Sequence, residues 1–405
     1  MSCERLFVVS HPTGNTFVRA LLEELQKKQQ LEKFHTTIGF GLGINPLLKP
    51  FIKRRGYSIN DERLTRQWFP ELFRLISKGT HEKKRKKVDT SYLSLDKKVS
   101  KELKKYKAKV LHAYEDGASY SFKKAKELGI ECSYELPIAY WATNRRLLAE
   151  EAERYPEWEP TLETTREPEV KLVRKEKELA LADRITCPSN FVLQSIPKDI
   201  RDRIPCQVSP FGSPSVVPSN NLITKRASNN LLKLLFVGSM SQRKGLADLI
   251  EAMKLLRSHA VKLSILGQPS QPLAFYRKQL PDFHYFSPRS NEGVREIMNM
   301  HDILVLPSIV EGRALVQQEA LACGLPIIVT PNAGGEDLVE EGITGSIIPI
   351  RSPQKIAESI LNFLDNIKSL DELRAECQRK AKEYTWESYA SSILAFNLFQ
   401  TELHS

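Results

Sequence analysis

Residues 302–330 read "DILVLPSIVEGRALVQQEALACGLPIIVT". The apolar run before Pro307 reads as a strand, and the proline ends it. Ser308 to Gly312 form a loop, and a helix begins near Arg313. Gly324, Leu325 and Pro326 stop that helix, and the β-branched "IIVT" that follows reads as a second strand. Strand, helix, strand in under thirty residues is one parallel unit, because parallel neighbours need a crossover between them.

The same alternation recurs outward from this stretch. "RLFVVS" precedes "TFVRALLEELQKKQQ", "AKVLHAY" precedes "ASYSFKKAKELG", and "RITCPS" precedes "FVLQSI". "LKLLFVG" precedes "GLADLIEAMKLLRSH", and "VKLSILG" follows. Near-continuous apolar strands beside amphipathic helices indicate parallel sheets covered on both faces, an α/β chain of doubly wound units. At 405 residues the chain is too long for one core of ordinary size. A stretch rich in Pro, Ser, Gly and Asn at 206–230 divides two sets of units, each of about 200 residues. A crevice between two such sheets, at the carboxyl ends of their strands, is where ligands bind in this class.

Composition narrows the function. Apolar residues make up 41% of the chain, which excludes disorder by composition. The six cysteines have no metal-ligand spacing and read as reduced, buried thiols of a cytoplasmic protein. The start, "MSCERLFVVSHPTGN", reads as a first strand and not as a signal peptide. No apolar run reaches eighteen residues, so no bilayer-spanning helix is expected. A formal charge of +11 points to anionic partners. Cations concentrate at 83–109, after a segment mixing them with Phe51, Trp68, Phe69, Phe73 and Leu75. Apolar residues at headgroup level and lysines on anionic lipid would make this a membrane-surface face, peripheral at the inner side of the membrane. A solvated helix face and loop is the plain alternative. Stacking of Tyr92 and Tyr106 on nucleic acid is another, although no base-reading motif accompanies it.

Two loops carry the candidate chemistry. "LLFVGSMSQRKGLADLIEAM", 234–253, is strand, glycine turn and helix, with Gly238 and Gly245 allowing close backbone approach. Arg243 and Lys244 stand at the mouth of that helix, where free N–H groups and the dipole already favour anions. Two cations there suit a diphosphate. In the opening stretch Glu311 lies in the loop and Glu319 in the second helical turn, on the order of 10 Å away at 1.5 Å rise per residue. That span suits a sugar-diphosphate-ribose ligand, with one carboxylate on hexose hydroxyls and the other on ribose hydroxyls. Free amides near residues 313–315 would hold phosphate oxygens between them.

These motifs resemble those of the family 4 glycosyltransferases, retaining enzymes of the GT-B fold. The resemblance rests on "FVGSMSQRKG", "ILGQP", "DILVLPSIVEGRALVQQEALACGLPIIVTPNAGGEDLVEEGITGSIIP" and "YTWESYA". It is strong over about 240–390 and one of layout alone over 1–210. It implies two Rossmann-like domains across a cleft: an acceptor domain at 1–212 with a basic insertion at about 45–109, and a nucleotide-sugar domain at 213–385. A final helix at 386–405 would cross back to the first domain. It also implies transfer from a UDP- or GDP-sugar to a glycan or lipid-linked acceptor, with no bound cofactor and no metal. Lys244 and Arg243 would hold the diphosphate, Glu311 the donor sugar and Glu319 the ribose. Gly238, the backbone after Gly267 and the region of Ser287 and Arg289 would complete the donor site, with Gly312, Arg313, Ala314 and Leu315 beside the phosphates.

The chain also departs from the family. Ser239 stands where the family often has arginine, and Arg313-Ala314 replaces the usual Phe-Gly. Arg313 would add a phosphate contact or reflect another donor. On the acceptor side the loop "SHPTGN" offers the amides of Gly14 and Asn15, and His112 and Glu135 end two strands facing the gap. Glu135, with Glu311 and Lys244, is a candidate catalytic group. An inactive relative acting as a binding protein, and an epimerase of the same fold, are the alternatives.

Overall fold

A computed structural model describes residues 6–42, 55–76, 81–162, 167–216, 231–366 and 370–398. Two wholly parallel sheets dominate it. The first runs β5 (Leu64–Arg66), β2 (Leu31–Thr36), β1 (Phe7–Ser10), β6 (Val110–Tyr114), β7 (Glu131–Glu135), β8 (Arg184–Cys187), β9 (Cys206–Val208). The second runs β12 (His284–Phe286), β11 (Val261–Leu266), β10 (Leu232–Val237), β13 (Ile303–Leu306), β14 (Ile327–Val329), β15 (Gly345–Ile347). A short pair, β3 (Phe40–Leu42) and β4 (Gly56–Asn60), stands apart. The α/β doubly wound class expected from the alternation is the one observed. Residues 217–230, most of the expected connection, lie outside the described residues, as do 43–54 and 77–80 of the basic insertion and 399–405 of the closing helix.

Side-chain alternation explains why both faces of the first sheet are covered. Along β1, Val8 joins the core with Val99, Phe122 and Ile185, while Phe7 and Val9 join Leu21, Phe34 and Tyr389 on the other face. The second sheet has one large core that includes Leu234, Phe236, Leu249, Ile265, Val305 and Ile328. Each sheet has a switch point where strand order reverses: between β1 and β6 in the first, and between β10 and β13 in the second.

The halves are strapped together in both directions. The helix Trp386–Leu398 buries Tyr389, Ala390, Ile393 and Leu394 against the first sheet, and Ile393 and Leu394 each contribute roughly 1.5–3 kcal/mol. In return the helix Trp141–Arg154 and the turn Pro156–Thr161 send Trp158 into the second core, against Phe275 and Tyr276. The strap is also polar. The fully buried Glu151 carboxylate accepts from Gln242 Nε2 at 2.6 Å and pairs with Arg351, and Arg154 pairs with Asp248 at 2.7 Å. A buried charge so partnered resists removal of any one partner.

Four of the six cysteines, Cys132, Cys187, Cys323 and Cys377, are buried free thiols, Cys206 is half-buried, and Cys3 lies outside the described residues. Among the described residues no helix is long and apolar enough to cross a membrane.

Candidate functional site

The carboxyl ends of the two sheets face each other. Gly312, which follows β13, lies so close to Pro137, which follows β7, that a Cβ on it would sit 1.7 Å from the Pro137 carbonyl oxygen. Ser189, just past β8, donates its Oγ–H to the Gly312 carbonyl at 2.6 Å. Leu315 packs on the first half's cluster around Phe17 and Phe211. These contacts set the loop after β13 against the ends of β7 and β8, beside the two switch points.

On the second-half side, the loops after β10 and β13 interlock. Gly245 adopts φ +73°, and a Cβ there would lie 1.9 Å from the Pro307 carbonyl oxygen, so glycine alone permits this approach. The amide of Ile309 donates to the Arg243 carbonyl at 2.9 Å, and the Arg243 guanidinium donates to the Val310 carbonyl at 3.0 Å. At Gly238, φ +148°, the missing side chain is replaced by the aliphatic stem of Lys244, 3.4 Å from where a Cβ would be. Arg243 and Lys244 occupy the short 3-10 turn Gln242–Lys244, one residue further from the helix Leu246–Leu255 than expected.

Glu311 is the centre of this arrangement. Its Oε1 lies 2.5 Å from Arg243 Nη1 and 2.5 Å from Lys244 Nζ. Burial pushes the Glu311 carboxyl up, but Lys244 and then Arg243 outweigh it and hold the group below the usual carboxylate range. Burial lowers the Lys244 ammonium, with Glu311 opposing and Arg243 assisting the shift. One carboxylate thus neutralises two converging cations in a nearly dry place, an arrangement an anionic ligand can take over.

The helix of the second glutamate spans Leu315–Ala322 and starts two residues later than the reading near Arg313. The Ala314 amide is taken by the Ala333 carbonyl at 3.1 Å and the Gln317 amide by Ala314, so the amides open at the helix mouth narrow to Leu315 and Val316. Glu319 is half-buried, and burial raises its pKa against the pull of Arg295. Gly267 closes on Gly238: a Cβ on it would sit 1.7 Å from the Gly238 carbonyl oxygen. Ser287 and Arg289 are exposed just beyond β12.

Three expectations need correction. Arg313 is buried and donates Nη1 and Nη2 to the two carboxylate oxygens of Asp337 at 2.7 and 3.0 Å and Nη1 to the Gly334 carbonyl, with its guanidinium over the Tyr384 ring. Its charge is spent within the fold, so the structure does not offer it to phosphate. His112 is fully buried in β6, between Ser133 Oγ at 2.9 Å and Glu135 Oε2 at 3.3 Å. Glu135 accepts in turn from Tyr389 Oη at 2.8 and 2.9 Å. Both residues therefore serve the seam with the closing helix and present no free group to the gap.

Gly14 and Asn15 do stand at the mouth of the helix Thr16–Lys27, and Asn15 makes no side-chain cap. Beside them His11 is buried between Phe17 and Tyr114, and burial lowers its pKa from 6.5 to about 4. The sequence reading missed Gln242 and Ser189. Gln242, next to the two cations, bonds Glu151 and Asp248 and so ties the loop after β10 to the strap. Ser189 had a visible signal, since it N-caps the helix Asn190–Ser195 directly after an apolar strand.

With that geometry in hand, residues 221–384 match the family described as glycosyl transferases group 1. The D-inositol 3-phosphate glycosyltransferase of Jonesia denitrificans is 30% identical over 176 residues, 40% of this chain and 42% of that one. The chain spans about half the length of the curated relatives it matches. Among solved structures, sucrose-phosphate synthase from Thermosynechococcus elongatus superposes with TM-score 0.68 at 16% identity over 97% of this chain and 98% of that one. Anabaena HepE in complex with UDP and glucose gives 0.59 at 14% identity, over 97% and 99%. These likenesses show the fold, which is GT-B, as expected from the motifs.

Proposed function

We propose that the chain, whose residues 221–384 match the group 1 glycosyl transferases, moves a hexose from a nucleotide-diphosphate sugar to a hydroxyl of a glycan or glycolipid, with retention of configuration. The observation that carries this reading is the pair Arg243 and Lys244 converging on Glu311 at the second switch point. A donor diphosphate would take over the two cations and the Leu315 and Val316 amides. Glu311, released from them, would accept from sugar hydroxyls, and Glu319 would accept from the ribose.

Departure of the nucleotide diphosphate is the hard step, and fixed positive charge stabilises it as it develops. The bond from the anomeric carbon to the diphosphate oxygen breaks. The acceptor oxygen bonds the same face of that carbon, and its proton passes to the departing diphosphate oxygen. Two cations and two amides cover the charge, which supports a reaction without a metal. The neutral His11 and the Gly14 and Asn15 amides would border the acceptor. Closing of the two halves excludes water and limits loss of donor by hydrolysis.

A thermal-shift panel of nucleoside diphosphates and their sugars tests the reading. One nucleotide series should raise the melting temperature, and its sugar should appear on an acceptor with the donor's anomeric configuration by NMR. The absence of stabilisation by any member would overturn it.

A further inference from the structure

The helix Trp68–Ile76 is folded inside out. Its side chains at i, i+4 spacing put Trp68, Phe69, Leu72, Phe73 and Leu75 on one side. In a globular domain that side faces the core. Here Trp68 is 55% exposed, Phe69 72% and Phe73 57%, while Glu71, at the flank of that side, is 2% exposed. The reason is a polar anchor. Glu71 accepts from Arg74 at 2.7 and 2.8 Å, from Arg55 at 2.9 Å and from Ser91 Oγ at 3.2 Å, which binds the helix by its polar face to the helix His81–Glu102. Five large apolar side chains are left to water, a patch of the kind that marks an interaction site.

The neighbouring helix supplies the charge. Residues 83–87 are Lys, Lys, Arg, Lys, Lys, and Lys83, Lys84 and Lys86 are exposed. Lys87 Nζ lies 5.3 Å from the Phe73 ring centroid, so the basic run borders the apolar face directly. Lys83 and Lys84, one turn earlier, share that side of the helix.

The location is informative as well. Gln67, just ahead of the aromatic helix, donates its amide to the Thr36 carbonyl at 2.8 Å, at the carboxyl end of β2. Thr37 Oγ1 donates to the Pro12 carbonyl at 2.5 Å, in the loop ahead of Gly14 and Asn15. The aromatic helix thus stands on the gap-facing edge of the first sheet, after its edge strand β5 and away from the β7 and β8 ends that touch the second half.

We infer that Trp68, Phe69, Leu72, Phe73 and Leu75 insert into the headgroup and acyl boundary of an anionic bilayer, while Lys83, Lys84 and Lys87 meet its phosphates. Apolar anchoring combined with basic residues is what stable interfacial binding requires. A second copy fits less well, because a self-complementary contact would bring two runs of five cations together. Single-stranded nucleic acid fits less well too, because Leu72 and Leu75 offer bases no stacking surface. The surface stands apart from the transferase reading. Only its consequence, an acceptor carried by lipid and delivered at the mouth of the gap, rests on that reading.

The test is co-sedimentation of the full chain with phosphatidylcholine vesicles with and without phosphatidylglycerol, alongside nucleotide calorimetry on the same preparations. Wild type should bind the anionic vesicles. Phe69→Ser with Phe73→Ser should lower that partition about tenfold or more. Lys83→Ala, Lys84→Ala and Lys87→Ala together should lower it on the order of a hundredfold at low salt and far less at high salt. Hydrogen exchange on wild type needs no variant: vesicles should slow the amides of residues 68–76. Failure of wild type to bind, an unaltered partition in the phenylalanine variant, or protection confined to 81–102 would overturn the inference. So would a dimer that the phenylalanine variant converts to monomer, or capture by an RNA oligomer in preference to vesicles. Loss of nucleotide binding with vesicle binding retained would sink the transferase reading and leave this surface standing.

Discussion

The two switch points share a topology and differ in chemistry. Between β10 and β13, Arg243, Lys244 and Glu311 form an ionic knot in which one carboxylate holds two cations. Between β1 and β6, the space is lined by His11, Phe17 and Tyr114, with the imidazole held uncharged by burial. The nearby Arg19 donates its Nε to the Gly56 carbonyl at 3.2 Å, and Lys175 pairs with Glu115 at 3.4 Å and Glu167 at 3.1 Å. A twice-negative leaving group needs charge that a ligand can claim, whereas an acceptor hydroxyl needs shape and a neutral neighbour. On the proposed reading, the contrast would let one half of the molecule manage charge and the other manage access.

The largest expected effect tests whether the ionic knot depends on support from the other half. Glu151→Ala strips Gln242 and Arg351 of their buried partner and should cost about 3–5 kcal/mol of unfolding free energy by urea titration. A loss under about 1 kcal/mol would mean that the strap is ornamental. Next in size is a matched pair. Glu319→Gln should weaken nucleotide binding by about 1.5–3 kcal/mol, read by competition with a fluorescent nucleotide. Glu135→Gln, in the first half, should leave that affinity unchanged while lowering the melting temperature through His112 and Tyr389. Equal losses of affinity would erase the division between the halves.

Arg313→Lys sharpens the comparison within the second half. It breaks the two-pronged bond to Asp337 and should cost about 1–3 kcal/mol of stability, with nucleotide affinity preserved. The smallest effect concerns pH and belongs to the first half. His35 is buried with both ring nitrogens lacking hydrogen-bond partners, and burial lowers its pKa from 6.5 to about 3. Below pH 6.5 the unfolded chain takes a proton that the folded chain refuses, so stability falls as pH drops through that window. The contribution of His35 to the slope approaches about 1.4 kcal/mol per pH unit and should be lost in His35→Leu, leaving that of His11, measured by denaturant titration from neutrality to mild acid.

These same contrasts explain what could be read from the chain alone. In the second half the informative contacts are local. Gly245 precedes its helix by one residue, and Glu311 and Glu319 sit eight positions apart, so spacing along the chain is spacing in the site. In the first half they are distant: Glu135 meets Tyr389 across 254 positions, and nothing near Glu135 announces that partner. Arg313 was legible as a departure from the family but not as a partner of Asp337, twenty-four residues on. The aromatic helix shows a further limit. Its periodicity reveals an amphipathic helix, but only Arg55, Arg74 and Ser91 around Glu71 determine that the polar side faces inward.

Isothermal calorimetry of UDP and GDP against wild type and Lys244→Ala tests the central claim most directly. The account predicts that one nucleotide binds wild type and that the variant, still folded by its melting curve, loses roughly 1.5–3 kcal/mol of that binding, at least about tenfold in affinity. Undiminished affinity in a folded Lys244→Ala would contradict it.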